Sequence, residues 1–298
     1  MSKFKATDVL QNMTMDLLGG LRQQYFDIAT AIFKWNNLPP EIPIRYPERW
    51  LYQNGMCAFT RVNDSDVFVC LPVATESIQK NAYGEPSAWR VVAMGDLAGV
   101  MNGKTFDEKN SVLIRNDACY RPSLPYVDVL IKQMVNTELT MRMNLNAQKN
   151  PMWIKTSDEN ALQNKNTFME FYECQPVFFK DSTAPELEFY NPGIPFIGSE
   201  IADIYNIYDQ RILSFLGLDN SNIDKKERLV VAEAESKNDK IFSIRTNRLE
   251  QRKIACDAIN DLFGLGVSVE VNCDLNNNGV SDAMEGDSDD DVPGTLKD

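Results

Sequence analysis

The twelve residues DLNNNGVSDAME, at 274–285, are the stretch of this sequence whose residue types and spacing come closest to a chemical site. They fit the calcium-loop pattern, in which oxygen-bearing side chains at alternate positions wrap a hard cation around a turn that a glycine permits. The candidate ligands are Asp274, Asn276, Asn278, Asp282 and Glu285. Two of them are Asn, which lowers the local charge, and no apolar helix follows to complete a paired EF-hand. The pattern predicts at most a weak, single calcium loop, and the favoured alternative is a solvated acidic tail.

The stretch NGKTF (102–106) resembles a phosphate-binding loop, but its spacing is wrong. That motif places four residues between its two glycines, followed by Lys and Ser or Thr. Gly99 and Gly103 enclose only three residues, and the strand signal before them is weak. A hairpin turn is therefore favoured over a nucleotide site.

Three acidic residues of a predicted helix, Glu200, Asp203 and Asp209, could suggest a metal-dependent hydrolase. Only Glu200 and Asp203, three residues apart, would share a face of the helix, so a solvated surface is favoured. The sequence contains no histidine, which excludes Ser–His–Asp and Cys–His nucleophilic sites and every His-ligated metal site. We expect that the protein is not an enzyme and that it has no cofactor beyond the possible calcium ion.

The net charge of −13 is distributed unevenly along the 298 residues. Residues 274–298 hold eight acidic residues against one lysine, a net charge of −7, so the rest of the chain carries only −6. A mildly acidic body is not typical of a high-affinity nucleic-acid binder, although it could enclose DNA without gripping it. The six cysteines are scattered without a CxxC pair and are expected to be reduced. No signal peptide or membrane span is expected.

A long polar segment (219–253) lies between two apolar helical patterns and interleaves charges of both signs. Its basic residues are Lys225, Lys226, Arg228, Lys237, Lys240, Arg245, Arg248, Arg252 and Lys253. From the residues alone, a solvated surface loop of balanced charge is the favoured interpretation.

The elements around these residues predict an α+β protein. Apolar residues at three- and four-residue steps indicate helices over 8–36, 123–148, 200–217 and 246–263, with Gly217 as a C-cap signal. Residues 41–120 contain short β-rich runs between turn signals and indicate a mainly antiparallel unit. Residues 152–198 are predicted as strands and turns, and GVSVEVN (266–272) as a closing strand. Residues 273–298 are expected to be disordered.

Four strings resemble a known family in order and spacing: FKWNNLPPEI (33–42), NLNAQKNP (144–151), FLGLDNSNIDKKERL (215–229) and ACDAINDLFGLGVSVEV (255–271). They are similar to strings in the portal protein, or head–tail connector, of small short-tailed phages with protein-primed DNA. The resemblance runs from about residue 15 to 272, and residues 50–120 match poorly.

This resemblance implies a portal fold with long stem helices, a β-rich wing and a small α/β clip, assembled as a dodecameric ring in the virion after synthesis in the bacterial cytoplasm. The implied division is 1–37, a helix packed on the stem; 38–121, the wing; 122–150 and 200–218, stem helices; 151–199, the clip; 219–245, a channel loop; 246–272, the wing's C-terminal helix and strand; and 273–298, the acidic tail.

The resemblance also implies the partners: double-stranded DNA in the lumen, the capsid or scaffold protein, a packaging ATPase and the lower collar or tail protein, with no membrane. The polar segment would line the channel, with Lys225, Lys226, Arg228, Lys237, Lys240 and Arg245 facing DNA. A basic N-terminal arm that contacts a packaging RNA is represented here only by Lys3 and Lys5, so RNA contact is not expected. A calcium-dependent binding module acting through 274–285 is the alternative function.

Overall fold

The computed structural model describes residues 6–63, 65–149, 153–155, 188–190, 193–218 and 231–272. These residues form a mixed helix and sheet structure, as the sequence predicts. Its helices and strands, in chain order, are α1 (Ala6–Ala31), β1 (Phe33–Asn36), α2 (Tyr46–Asn54), β2 (Met56–Arg61), β3 (Phe68–Pro72), β4 (Gln79–Lys80), β5 (Pro86–Ala88), α3 (Ala98–Met101), β6 (Ser111–Arg115), α4 (Leu124–Lys149), β7 (Trp153–Lys155), β8 (Glu188–Tyr190), α5 (Gly198–Leu216), α6 (Val231–Phe263) and β9 (Ser268–Val271).

Helix α4 packs against both α1 and α5. The apolar row predicted for α4 is buried over Val127, Ile131 and Val135, but its last member, Met143, is 72% exposed. The 26 residues of α4 correspond to about 39 Å of helix, which is longer than the core it covers. The far end of α4 therefore extends beyond the main core.

Strands β3, β2 and β6 form an antiparallel sheet in that order, with β2 in the centre. Alternate residues of β2 point to opposite faces of the sheet, and both faces are covered. Cys57 and Phe59 join the core shared with the helices, while Met56 and Ala58 join a second core around Trp89. Residues 56–59 of β2 are all apolar because both faces of the strand are buried there.

The helix predicted over 8–36 is wrong in its last residues, because α1 ends at Ala31 and β1 begins at Phe33. Strand β1 pairs antiparallel with β9, placing Phe33 opposite Val271. Its burial alternates, with Phe33 and Trp35 inside and Lys34 exposed. The two-residue spacing of Phe33 and Trp35 fits a strand. Its pairing partner, β9, lies at the other end of the described chain.

The polar segment predicted as a loop over 219–245 is also partly wrong, since residues 231–245 form the first half of α6. No Gly or Pro occurs between Gly217 and Gly264, and residues 232–235 read Ala-Glu-Ala-Glu, which favours helix. Mixed charge with one sign four residues before the other also supports a helix. The polarity of the segment favours a loop, but its helix propensity and its lack of Gly and Pro decide the backbone conformation.

Other predictions are confirmed or extended. Helix α5 ends at a left-handed Gly217, with φ +88°, as its C-cap signal predicts. Helix α2 was not predicted. In the predicted strand-and-turn region, β7 and β8 pair antiparallel, and residues 156–187 between them lie outside the described residues.

The described cysteines form no disulfide, and Cys119 alone among them is exposed. None of the described helices is long and apolar enough to cross a membrane.

Candidate functional site

Helices α4 and α5 form an antiparallel hairpin whose two ends are joined by different contacts. At one end the buried Asn144 side chain donates to the Pro195 carbonyl at 2.9 Å and accepts the Ile197 N–H at 3.2 Å. At the other end the rings of Tyr126 and Phe215 lie 4.5 Å apart between centroids. The two helices are therefore joined by side-chain contacts at both ends of the hairpin.

Helix α1 forms side-chain bonds with both helices of this hairpin. The Tyr25 hydroxyl donates to Asp209 of α5 at 2.6 Å, and Arg22 forms an ion pair with Asp128 of α4 at 2.5 Å. Burial, followed by the hydrogen bond to Asp209, raises the pKa of the Tyr25 phenol well above its usual value. Tyr25 is therefore a donor at neutral pH, and α1, α4 and α5 form a three-helix unit.

A buried ion pair joins α6 to α2 and to the residue that follows β6. Arg252 binds Glu48 of α2 in a two-pronged manner, with Nε–Oε1 and Nη2–Oε2 distances of 2.7 Å. The other guanidinium N–H groups reach the backbone carbonyls of Asn116 and Arg248 and the Asn116 side chain. All five Arg donors are thus used, which is the condition for burying such a charge.

The same cluster reaches β1, since Glu48 Oε1 also accepts the Trp35 indole N–H at 2.9 Å. The Phe33 ring lies 4.2 Å from the Arg252 guanidinium carbon. We call the set Trp35, Glu48, Asn116, Arg248 and Arg252 the junction. It connects elements from the beginning, middle and end of the chain.

Arg248 links the junction to the end of the hairpin. Its Nη1 donates to the Leu216 carbonyl at 3.2 Å, and its guanidinium lies 5.1 Å from the Phe215 ring centroid. A cation is favourable there because the carbonyl end of a helix carries partial negative charge. Burial, followed by the neighbouring Arg252 charge, lowers the pKa of Arg248 to about 10, so it remains charged at neutral pH.

The predicted DNA-facing residues are only partly within the described chain. Lys225, Lys226 and Arg228 lie outside it, and Lys237 and Lys240 lie on the backbone of α6, with side chains outside the description. Arg245 is half-buried, with its guanidinium 5.9 Å from the Phe242 ring centroid. Arg245 lies where α6 packs against the end of α5. A Cβ added at Gly217 would lie only 3.0 Å from the Cβ of Arg245.

Sequence reasoning missed the role of Arg248 and Arg252, which it treated as part of a solvated segment. Both are buried, with exposures of 7% and 2%. The available signal was their position: Arg248, Arg252, Ala255 and Ile259 recur at helical spacing on the face of α6 that packs inward. A charge on an apolar stripe indicates a buried partner, although it does not say which one.

The residues of the other candidate sites are not grouped in the structure or lie outside the described residues. Glu200 and Asp203 are exposed, whereas Asp209 is half-buried and binds Tyr25. The calcium-loop residues Asp274, Asn276, Asn278, Asp282 and Glu285 lie outside the described residues. Within the described part, no three Cys, Asp or Glu side chains are grouped as a metal site requires. The region of NGKTF contains a turn at Gly103, with φ +84°, and a bridge between Phe106 and Trp89.

The sequence model of the family described as Phage Connector (GP10) matches residues 13–276 of this chain. The chain belongs to the phage connector family. The resemblance stated from four short strings is therefore confirmed at the level of the portal, or connector, family. The narrower assignment to short-tailed phages with protein-primed genomes stays a prediction.

Solved structures of portal proteins are similar to this connector at low sequence identity. A chain in the structure of the portal and tail of native bacteriophage P68 is 12% identical to this connector. The match covers 90% of this connector and 91% of the P68 chain, with a TM-score of 0.45. An HK97-family portal protein from Corynebacterium diphtheriae is 12% identical, with 93% and 98% coverage and a TM-score of 0.46. A chain in the virion of a native gene transfer agent particle is 12% identical, with 92% and 86% coverage and a TM-score of 0.42. The family assignment rests on the sequence match.

As a phage connector, the protein is a structural component of the virion, where it has the portal role. The geometry of the described residues agrees with a structural role: the helical hairpin of α4 and α5, the sheet of β3, β2 and β6, which we call the sheet unit, and the buried polar junction.

Proposed function

We propose that this connector closes into a ring of twelve copies around an axial channel, through which double-stranded DNA enters and leaves the capsid. The proposal rests on the family assignment and on one structural observation. Helices α4 and α5 expose large apolar side chains that a single chain leaves in water.

Six such side chains lie on the described hairpin: Tyr126, Val129, Met143 and Leu145 on α4, and Ile204 and Ile207 on α5. Their exposed fractions run from 44% to 72%. Single exposed apolar residues are ordinary, but several on two adjacent helices favour a protein partner. In a closed ring every copy presents two different faces to its two neighbours, so one face of the hairpin would pack against a different face of the next copy.

A groove beside these residues offers a place for that contact. It lies between the start of α4, the end of α5 and the middle of α6, with a volume of about 470 Å³. Its apolar lining includes Tyr126, Ile207, Phe215, Ile241 and Ile244. We propose that side chains of the neighbouring copy fill it, which would protect both chains from water.

The proposed division of labour follows from this placement. Helices α4 and α5, with α1 packed on them, would form the stem around the channel. The sheet unit, α6 and β9 would form the wing, and residues 151–199 the clip that meets the tail and the packaging machinery. Capsid or scaffold protein, a packaging ATPase and a lower collar or tail protein are the proposed partners. The role is non-enzymatic, so a separate ATPase would supply the packaging energy.

The proposed channel surface is the segment 219–245, which contains six acidic and six basic residues. Each phosphate neutralised by a cation adds affinity through counterion release, so a wholly basic segment would hold moving DNA too tightly. A balanced segment guides DNA while remaining hydrated. In this arrangement the first half of α6, which the sequence predicted as loop, would carry Lys237 and Lys240 on a helix.

The decisive experiment is the mass of the purified connector in solution, measured by sedimentation and by negative-stain imaging. A ring predicts particles near twelve times the 33.8 kDa chain. Val129→Asp, on the exposed face of α4, should reduce assembly at least tenfold, because it places a charge in the proposed contact.

The matched control is Val67→Asp, since Val67 is also exposed, at 41%, but lies beside β3. This variant should assemble normally. Single folded chains at high concentration, or equal effects of the two substitutions, would contradict the ring or its proposed interface.

A further inference from the structure

A basic groove lies next to the antiparallel sheet, and none of its described lining residues belongs to α4 or α5. It is formed by the end of β2, the turn that leads into β6 and the end of α6, and its volume is about 550 Å³. Its charged lining residues are Arg61, Lys104 and Lys109. Among the described residues, no carboxylate lines this groove. In a protein of net charge −13, this local excess of positive charge needs an explanation.

Arg61 packs against two aromatic rings and forms no ion pair with the described residues. Its guanidinium carbon lies 5.3 Å from the Phe68 ring centroid and 5.8 Å from that of Phe263. The Nε atom is buried and has no hydrogen-bond partner among the described residues. The two rings, which meet edge-on with an interplanar angle of 70°, hold a partly desolvated cation at the groove, where an anion would be attracted more strongly than in open water.

The two lysines add charge at the rim. Lys104 Nζ donates to the Asn63 side chain, which directs it along the groove, and Lys109 is exposed. Neither lysine forms an ion pair within the described part of the chain. Three unpaired cations converging on one groove repel one another, so a multiply charged anion should stabilise this region.

The chain itself supplies a segment of matching chemistry. Residues 274–298 carry a net charge of −7, and Asp287, Asp289, Asp290 and Asp291 stand close together within them. An extended run of aspartates presents carboxylates at several successive positions, which suits cations spread along a groove better than a single small anion does.

The length of the chain allows this segment to reach the groove. Phe263 lines the groove, and Asn272, the last described residue, follows nine residues later, which places it at most about 30 Å away. The Asn272 N–H donates to the Ile32 carbonyl at 2.9 Å, so this departure point is fixed. Fifteen residues separate Asn272 from Asp287; a flexible chain of that length spans about 20 Å on average and about 50 Å when extended.

We propose that the acidic C-terminal segment, residues 273–298, docks into the basic groove of its own chain, with the aspartates of 287–291 against Arg61, Lys104 and Lys109. The contact is electrostatic and therefore weakens as salt screens it. Its consequence is that the docked segment excludes other polyanions from the groove. This inference depends neither on the ring nor on the channel role of 219–245.

The test uses the full chain and a carbodiimide, which activates a carboxyl group so that the deprotonated amine of an adjacent lysine displaces the urea and forms an amide. Peptide mapping by mass spectrometry should find Lys104 or Lys109 joined to 274–298 at about 0.05 M salt and largely lose this product at about 0.5 M. An equimolar mixture of 14N- and 15N-labelled chains should yield products within one chain only. Products between differently labelled chains, or none involving these lysines, would overturn the proposal.

A second measurement does not require crosslinking. Acylation of Lys104 and Lys109 by an activated ester should rise at least threefold when Asp287, Asp289, Asp290 and Asp291 are all replaced by Asn, because the docked segment shields the amines. Lys253, exposed on α6, is the matched control and should not change. Unchanged acylation in the Asn variant would overturn the docking. Protection that requires added duplex DNA would overturn it in favour of a phosphate-binding groove.

Discussion

Arg252 and Glu48 lie 204 residues apart in the chain and form a two-pronged ion pair at 2.7 Å in the interior of the connector. The exposed fractions of their side chains are 2% and 3%. The pair fastens α6 to α2, and through Trp35 and Asn116 it also holds β1 and the segment that leads into α4. The junction therefore fixes α6 against α2 and β1, and Arg248 connects it to the end of α5.

Replacing Glu48 by Gln should lower the free energy of unfolding by about 3–5 kcal/mol, because it leaves the Arg252 charge buried without a counter-charge. Denaturant unfolding followed by circular dichroism measures the change. The control is Glu270→Gln, since Glu270 pairs with Lys34 at 3.9 Å in an exposed position and should cost less than about 1 kcal/mol. Equal costs for the two variants would show that the junction does not depend on the buried charge.

Gly217→Ala should destabilise the connector by about 1–2 kcal/mol. The residue has φ +88°, and an added Cβ would lie 3.0 Å from the Arg245 Cβ, so both the backbone and the crossing of α5 and α6 would be strained. Gly20→Ala is the matched control, because nothing lies within 4 Å of a Cβ placed there and the residue is inside α1. That variant should be stabilised by up to about 1 kcal/mol. Thermal unfolding of the two proteins should shift in opposite directions.

Two buried tyrosines should respond differently to loss of the hydroxyl. Tyr25→Phe should cost about 1.5–3 kcal/mol, because the hydroxyl donates to the Asp209 carboxylate at 2.6 Å. The Tyr52 hydroxyl is buried with no hydrogen-bond partner among the described residues, so Tyr52→Phe should be neutral or stabilising. Denaturant unfolding at neutral pH distinguishes them, and an equal loss in both would contradict the different roles of the two hydroxyls.

The proposed channel segment is tested by replacing Lys225, Lys226, Lys237 and Lys240 by Ala. Ring assembly should remain intact, since these residues are not assigned to the contact between copies, whereas DNA retention or the last stage of packaging should be impaired. Filled particles counted by microscopy give the measurement, with Lys34→Ala and Lys80→Ala, two exposed lysines of the body, as the control. Normal packaging and retention in the four-lysine variant would exclude the channel role.

Chelation separates the connector role from the calcium alternative. EDTA should change neither the mass nor the thermal unfolding of the assembled protein, because assembly is assigned to apolar faces of α4 and α5. If the loop 274–285 carried the function through Asp274 and Glu285, chelation would dissociate the particles and added calcium would restore them. Sedimentation with and without EDTA decides between these outcomes.

The long helices were predictable because their signals are local. Apolar residues at three- and four-residue steps locate α4 and α5 to within two residues, and Gly217 marks the end of α5. The start of α6 was not found, because charge-mixed residues are equally common in loops and on exposed helices. The absence of Gly and Pro between 218 and 263 was the better signal.

The sequence by itself determined the family, the balance of helix and strand, and the places where helices are long. The tertiary structure decided that Phe33–Asn36 is a strand, that Arg248 and Arg252 are buried, and that Arg61 lines a groove to which the described residues contribute no carboxylate. The physical reason is that helix periodicity acts over a few residues. A strand edge or a buried charge, by contrast, is stable only through a partner, and here those partners lie some two hundred residues away, at β9 for β1 and at Glu48 for Arg252.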